Sequence, residues 1–170
     1  MLSAAKVTAT VHKPESSEER SRQLLPRMRR ITEQVSSIAD RLYEHRDIKA
    51  TAQSIIAEYR TKHQETESLR TNPLGLSSLA QTTATALVNQ IKNSIHAEAR
   101  QYFADHYTSH PDADMFESTL CTSLANATIS IDSQKSEIEE AIIKQVQIQL
   151  SSKKETRSFL AAIRRSVMAR

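Results

Sequence analysis

Glycine is almost missing from this chain: Gly75 is the single one in 170 residues. Hairpin turns and bulges draw on glycine for positive φ, so an all-β architecture is excluded. The Gly-rich phosphate loops of dinucleotide- and nucleotide-binding folds are excluded too, as is a nucleophile elbow, which needs a glycine on either side of its serine. Tryptophan is absent, and three Phe and four Tyr are the whole aromatic complement. The lone Cys121 rules out a disulfide framework. It lies in Ser118-Thr119-Leu120-Cys121-Thr122-Ser123-Leu124, a run with no basic residue to lower its pKa, and reads as a small apolar core residue. No stretch approaches the roughly 18 apolar residues of a membrane span. Met1–Lys6 lacks the apolar run of a secretory signal, so the expectation is a soluble cytoplasmic protein.

What is present favours helix. Apolar residues make up 38% and charged residues 25%, with a formal net charge of only +3, too apolar and too balanced for a disordered chain. Serine and alanine are the commonest residues, so several helices must share a thin core. Charge is unevenly placed. Residues 21–70 are basic, 71–110 nearly uncharged, 111–150 acidic and 151–170 strongly basic. An acidic block beside a basic tail can pair within the molecule, so a pI near 9.1 is a weak sign of nucleic-acid binding.

Residues 1–15 lack periodicity and read as a flexible arm. Ser16 with Glu19 three residues on is a capping box that opens a helix, and Pro26 inside it removes one donor. Leu24, Met28, Ile31, Val35, Ile38 and Leu42 follow at spacings of 4, 3, 4, 3 and 4, a heptad seam of nearly three repeats. Beyond it, either one long helix runs through residues 17–69 or Asp47 caps a second one; with no Gly or Pro between 27 and 72, the long helix is preferred. Asn72-Pro73-Leu74-Gly75 punctuates the chain. A central apolar helix is predicted over 77–107, then a loop around His110-Pro111. Helices over 115–168 follow, with caps at Asp114, Ser136 and Ser152, a β-like connector over 127–131, Ile138, Ile142, Val146 and Leu150 on one helix face, and Phe159, Leu160, Ile163 and Val167 on one face of the last. The reading is all-α: an elongated bundle of four to six helices forming a single domain over 16–170.

Chemistry is thinly spread. His106 and His110 have the i, i+4 spacing of a metal pair, but Pro111 disfavours helix at His110 and no Glu follows His106, so no metal and no cofactor is expected. Glu137, Glu139 and Glu140 sit in a predicted first helical turn, where the macrodipole favours carboxylates. No catalytic constellation emerges, and neither an enzyme nor a small-molecule substrate is expected. The expectation is an interaction or assembly module that binds a protein partner or itself through the seam Leu24, Met28, Ile31, Val35, Ile38 and Leu42. The alternative is a protein that binds nucleic acid or anionic membrane. Arg20, Arg22, Arg27, Arg29 and Arg30, with Arg164 and Arg165 of a basic amphipathic end, would make its contacts. Antiparallel docking of that end on residues 137–150 would pair Arg164 and Arg165 with Glu137, Glu139 and Glu140.

Overall fold

The computed structural model describes residues 16–168, apart from the side chains of 154–156, 158, 159, 166 and 167. The arm expected over 1–15, and the Phe159 and Val167 side chains expected on the last helical face, lie outside the described residues. The fold is all-α, with six helices and no strand among the described residues: α1 (Ser17–Glu44), α2 (Ile48–His63), α3 (Glu67–Thr71), α4 (Pro73–His106), α5 (Ala113–Ser133) and α6 (Lys135–Met168).

The starts of these helices follow from their caps. The Ser16 hydroxyl accepts the Glu19 amide, as the capping box predicts. Pro73 takes the first position of α4, where its missing N–H would have no intrahelical partner, and the Asn72 side chain accepts the Gly75 amide at 3.0 Å. The helix predicted over 77–107 therefore begins four residues earlier, and the Asn-Pro pair opens it rather than standing apart as a turn.

The preferred single helix over 17–69 is overturned. The chain breaks at 45–47, and the Asp47 carboxylate accepts the Ala50 amide at 2.8 Å to start α2. A second break follows at Gln64, which sits in the left-handed region at φ 57° although it carries a side chain. Glycine is the usual residue there, so the absence of Gly was a poor guide to continuity. Further on, the expected connector over 127–131 is helical and belongs to α5, and Gln134 alone separates α5 from α6. The caps expected at Asp114, Ser136 and Ser152 are not used. Asp112 precedes α5, Ser136 lies inside α6 after its first residue Lys135, and α6 runs through Ser152 without interruption.

α4 is the shared element, with α1, α5 and α6 all packing on it, while α2 packs on α6. Its buried stripe runs from Leu76 through Ala80, Ala84, Val88, Ile91, Ile95 and Ala99 to Phe103. The pairs Arg41–Glu98 and Arg20–Asp112 set α1 antiparallel to α4, and Lys92–Asp132 with Arg100–Glu117 does the same for α5. The seam of α1 is spent in this core. Leu24, Ile31, Val35 and Ile38 are buried against the rest of the chain, and Met28 and Leu42 are partly buried against the same cluster. Each large apolar side chain buried in this way contributes about 1.5–3 kcal/mol.

The breaks at 45–47 and at Gln134 lie side by side. Arg46 reaches Glu137 at 3.6 Å, donates to the Tyr43 carbonyl at 2.7 Å and holds its guanidinium 3.7 Å from the Tyr43 ring centroid. Burial pushes the Tyr43 hydroxyl pKa upward. Glu139 pairs within its own helix with Lys135.

Two variants test this account. Val35→Asp places a charge at a fully enclosed position and should cost at least ~3 kcal/mol, read as a large drop in Tm; an unchanged Tm would contradict the packing. Gln64→Gly relieves the left-handed backbone and should raise stability by up to about 1 kcal/mol, read as a small rise in urea midpoint at constant slope.

Candidate functional site

The surface features predicted from sequence are redistributed by the fold. Of the basic cluster on α1, Arg20 forms an ion pair with Asp112, and Arg27 lies against the His110 ring. These partners arrive from more than eighty residues away. Arg22, Arg29 and Arg30 stay on the exposed side of α1. Leu25 and Met115 are exposed beside Arg20 and Ser17 and line a shallow groove between the ends of α1 and α5.

His106 and His110 turn to different partners. The His106 ring stacks on Tyr102 with its Nδ1 2.8 Å from the Tyr102 carbonyl oxygen, whereas His110 packs edge-on to Phe116 beside Asp112. Among the described residues no three His, Cys, Asp or Glu side chains converge as a metal site requires. Cys121 is not the core residue expected from its local sequence. It is exposed on α5, with a guanidinium nitrogen of Arg100 3.8 Å and a Glu117 carboxylate oxygen 3.7 Å from its sulfur. The hydrogen bond from Arg100 to Glu117 raises the guanidinium pKa further. No helix among the described residues is long and apolar enough to cross a membrane.

The largest departure from the sequence reading is at the end of α6. Docking of 153–168 back onto 137–150 is excluded, because both stretches belong to one continuous helix. A straight helix cannot reverse on itself, and Glu137 and Glu139 are engaged elsewhere. Ile138, Ile142, Val146 and Leu150 are buried in the bundle, and Leu150 is the last buried side chain described on α6. The helix then continues for 18 residues, 151–168, or about 27 Å at ~1.5 Å per residue. Along it Leu160 (56%), Ile163 (43%) and Met168 (88%) are exposed, together with Lys153, Arg157, Arg164 and Arg165.

The side of α6 that faces the core inside the bundle changes character where the bundle ends. Val146, Leu150, Lys153, Arg157, Leu160 and Arg164 follow at spacings of 4, 3, 4, 3 and 4, so they lie on one face. At the exit point this face closes a recess of about 130 Å³ lined by Arg60 of α2, Glu67 and Arg70 of α3, and Lys153 and Arg157 of α6. Four cations thus meet one carboxylate. Glu67 pairs with Arg70, whose buried Nε has no hydrogen-bond partner. Sequence reasoning placed Lys153 and Arg157 in a basic end but gave Arg60 and Arg70 no role. The cationic substitutions at 153 and 157 in an otherwise apolar register were the one readable signal.

Comparison of the chain with protein-family models, with curated proteins and with solved structures returns no match.

The exposure of Cys121 has a direct check. In the folded protein without denaturant, Ellman's reagent should react with one thiol per chain. Reaction only after unfolding would return Cys121 to the interior.

Proposed function

We propose that this chain is a non-enzymatic helical interaction module that engages an anionic partner through the basic amphipathic end of α6. The observation that carries the proposal is the 18-residue overrun of α6 beyond Leu150, which exposes Leu160, Ile163 and Met168 beside Lys153, Arg157, Arg164 and Arg165. Exposed apolar side chains on an extended element gain nothing for this fold, and they mark a surface that gains from contact. Six cations against one carboxylate over 151–170 set the sign of the partner. Two copies of this end repel each other, so pairing between like ends is disfavoured.

This reading moves the binding element away from the place the heptad pattern suggested. Ile31 and Val35 are enclosed by the chain's own helices, so a partner on the seam would have to displace α4 and α5. It also ranks the end of α6 above the α1 arginines, because Arg20 and Arg27 already have partners within the molecule.

The test compares the full chain with Ile163→Ser, with Arg164→Gln/Arg165→Gln and with a chain stopped after Leu150. The substitutions touch exposed positions, so their stability should stay within ~0.5 kcal/mol of the parent. Retention on anionic vesicles should fall in each variant, retention on heparin should fall in the arginine variant, both should be lost in the truncated chain, and parent binding should weaken steeply as salt rises. Equal retention of the truncated and full chains would overturn the proposal.

A further inference from the structure

We propose that the recess where α6 leaves the bundle binds the phosphate of an anionic lipid headgroup, held by Arg60, Arg70, Lys153 and Arg157, while the exposed apolar side chains beyond it enter the bilayer interface. This rests on the reading of the α6 end as the binding element and adds the site and the ligand class.

The charge balance of the recess comes first. Arginine and lysine side chains from three helices line a space of about 130 Å³, and Glu67 is the single carboxylate among the lining residues. Glu67 pairs with Arg70 alone. No acidic partner is found for Arg60, Lys153 or Arg157 among the described residues. Cations gathered around one recess repel each other, and a bound anion relieves this repulsion at each of them. The recess opens to solvent and is large enough to admit a phosphate group. Guanidinium groups match phosphate oxygens in pairs, and the lysine adds a point charge. The buried, unpartnered Arg70 Nε is a donor available at this place.

The choice of a lipid follows from what surrounds the recess. Leu160 lies three residues beyond Arg157 on the same face of α6, and Ile163 and Met168 continue outward, all exposed. Leu74, four residues after Arg70 at the start of α4, is 83% exposed at this same end of the fold. Aliphatic side chains flanking a cationic recess are the pattern of an interfacial helix, whose apolar face sits about 5–10 Å deep at the boundary of headgroups and acyl chains. A single-stranded nucleic acid would be served by a series of aromatic stacking partners, and the sequence over 151–170 supplies one aromatic, Phe159.

The experiment uses the full chain and vesicle co-sedimentation. The vesicles contain phosphatidylcholine alone, phosphatidylcholine with phosphatidylserine, or phosphatidylcholine with a phosphatidylinositol bisphosphate, the last two matched in surface charge. The lipid with phosphomonoester groups should bind more tightly than phosphatidylserine at equal charge. Arg60→Gln and Lys153→Gln/Arg157→Gln should each erase that preference, with a loss of about fivefold per cation removed. Arg164→Gln/Arg165→Gln, outside the recess, should weaken both anionic vesicles alike and keep the preference. Ile163→Ser should weaken vesicle binding and leave binding of soluble inositol trisphosphate unchanged. Circular dichroism melts confirm that each variant is folded. Equal binding to the two anionic vesicles, or a preference that survives the recess variants, would overturn the site and leave the α6 end standing as a binding element. Soluble inositol trisphosphate binding as tightly as the vesicles, or an RNA oligonucleotide binding more tightly at the same salt, would overturn the lipid. Loss of none of these interactions on truncation after Leu150 would remove the underlying reading as well.

Discussion

Leu76, Ala80, Ala84, Val88, Ile91, Ile95, Ala99 and Phe103 form one stripe along α4, and α1, α5 and α6 each bury their own stripes against this helix. The constraint is volume. Ala80, Ala84 and Ala99 are fully buried on this stripe, and side chains this small let packed helices approach closely. The apolar content of the chain is modest, so the core is thin and must be close-packed to hold. α4 is buried along this one stripe, and its exposed side carries the uncharged Gln81, Thr82, Thr85, Asn89, Gln90 and Asn93, so burial does not account for the scarcity of charge between 71 and 110.

Charge then arranges what the stripe leaves open. Arg20–Asp112, Arg41–Glu98, Lys92–Asp132 and Arg100–Glu117 join neighbouring helices at the surface. Exposed pairs like these are worth only ~0–1 kcal/mol each, so they select register more than they add stability. Arg46 does more. It bridges two chain breaks at once, and it stacks on Tyr43 while reaching Glu137. A planar guanidinium can serve a ring face, a carbonyl and a carboxylate together, which an ammonium cannot.

The same economy explains why the proposed binding element is at one end. Inside the bundle a heptad register is consumed by the chain's own core, as the α1 seam shows. Only where a helix outruns its neighbours does its face become available. α6 does so after Leu150, and there its inward face changes from aliphatic to a mixture of lysine, arginine and leucine. The recess forms where Arg60 of α2 and Arg70 of α3 meet that changed face.

Helix stripes, the Ser16 cap and the all-α class were determined by the sequence alone, because they rest on periods of three and four residues and on bonds that span one turn. Ile138, Ile142, Val146 and Leu150 could be placed on one buried face from spacing. The break after Glu44 could not be decided, since Asp47 caps a helix only if packing stops the preceding one. The left-handed Gln64 carries no residue signal at all. Cys121 read as a small apolar core residue because no basic residue stands near it in sequence, yet it follows the buried Leu120, and one residue on a helix turns the side chain by 100° and leaves it at the surface. The continuity of α6 was decided by tertiary packing, because α2 and α4 hold its first half straight and leave no turn at Ser152. So was the meeting of Arg60 and Arg70 with Lys153 and Arg157. About ninety residues separate those pairs, and no local spacing encodes a contact that exists only where α2 and α3 end beside a continuing α6.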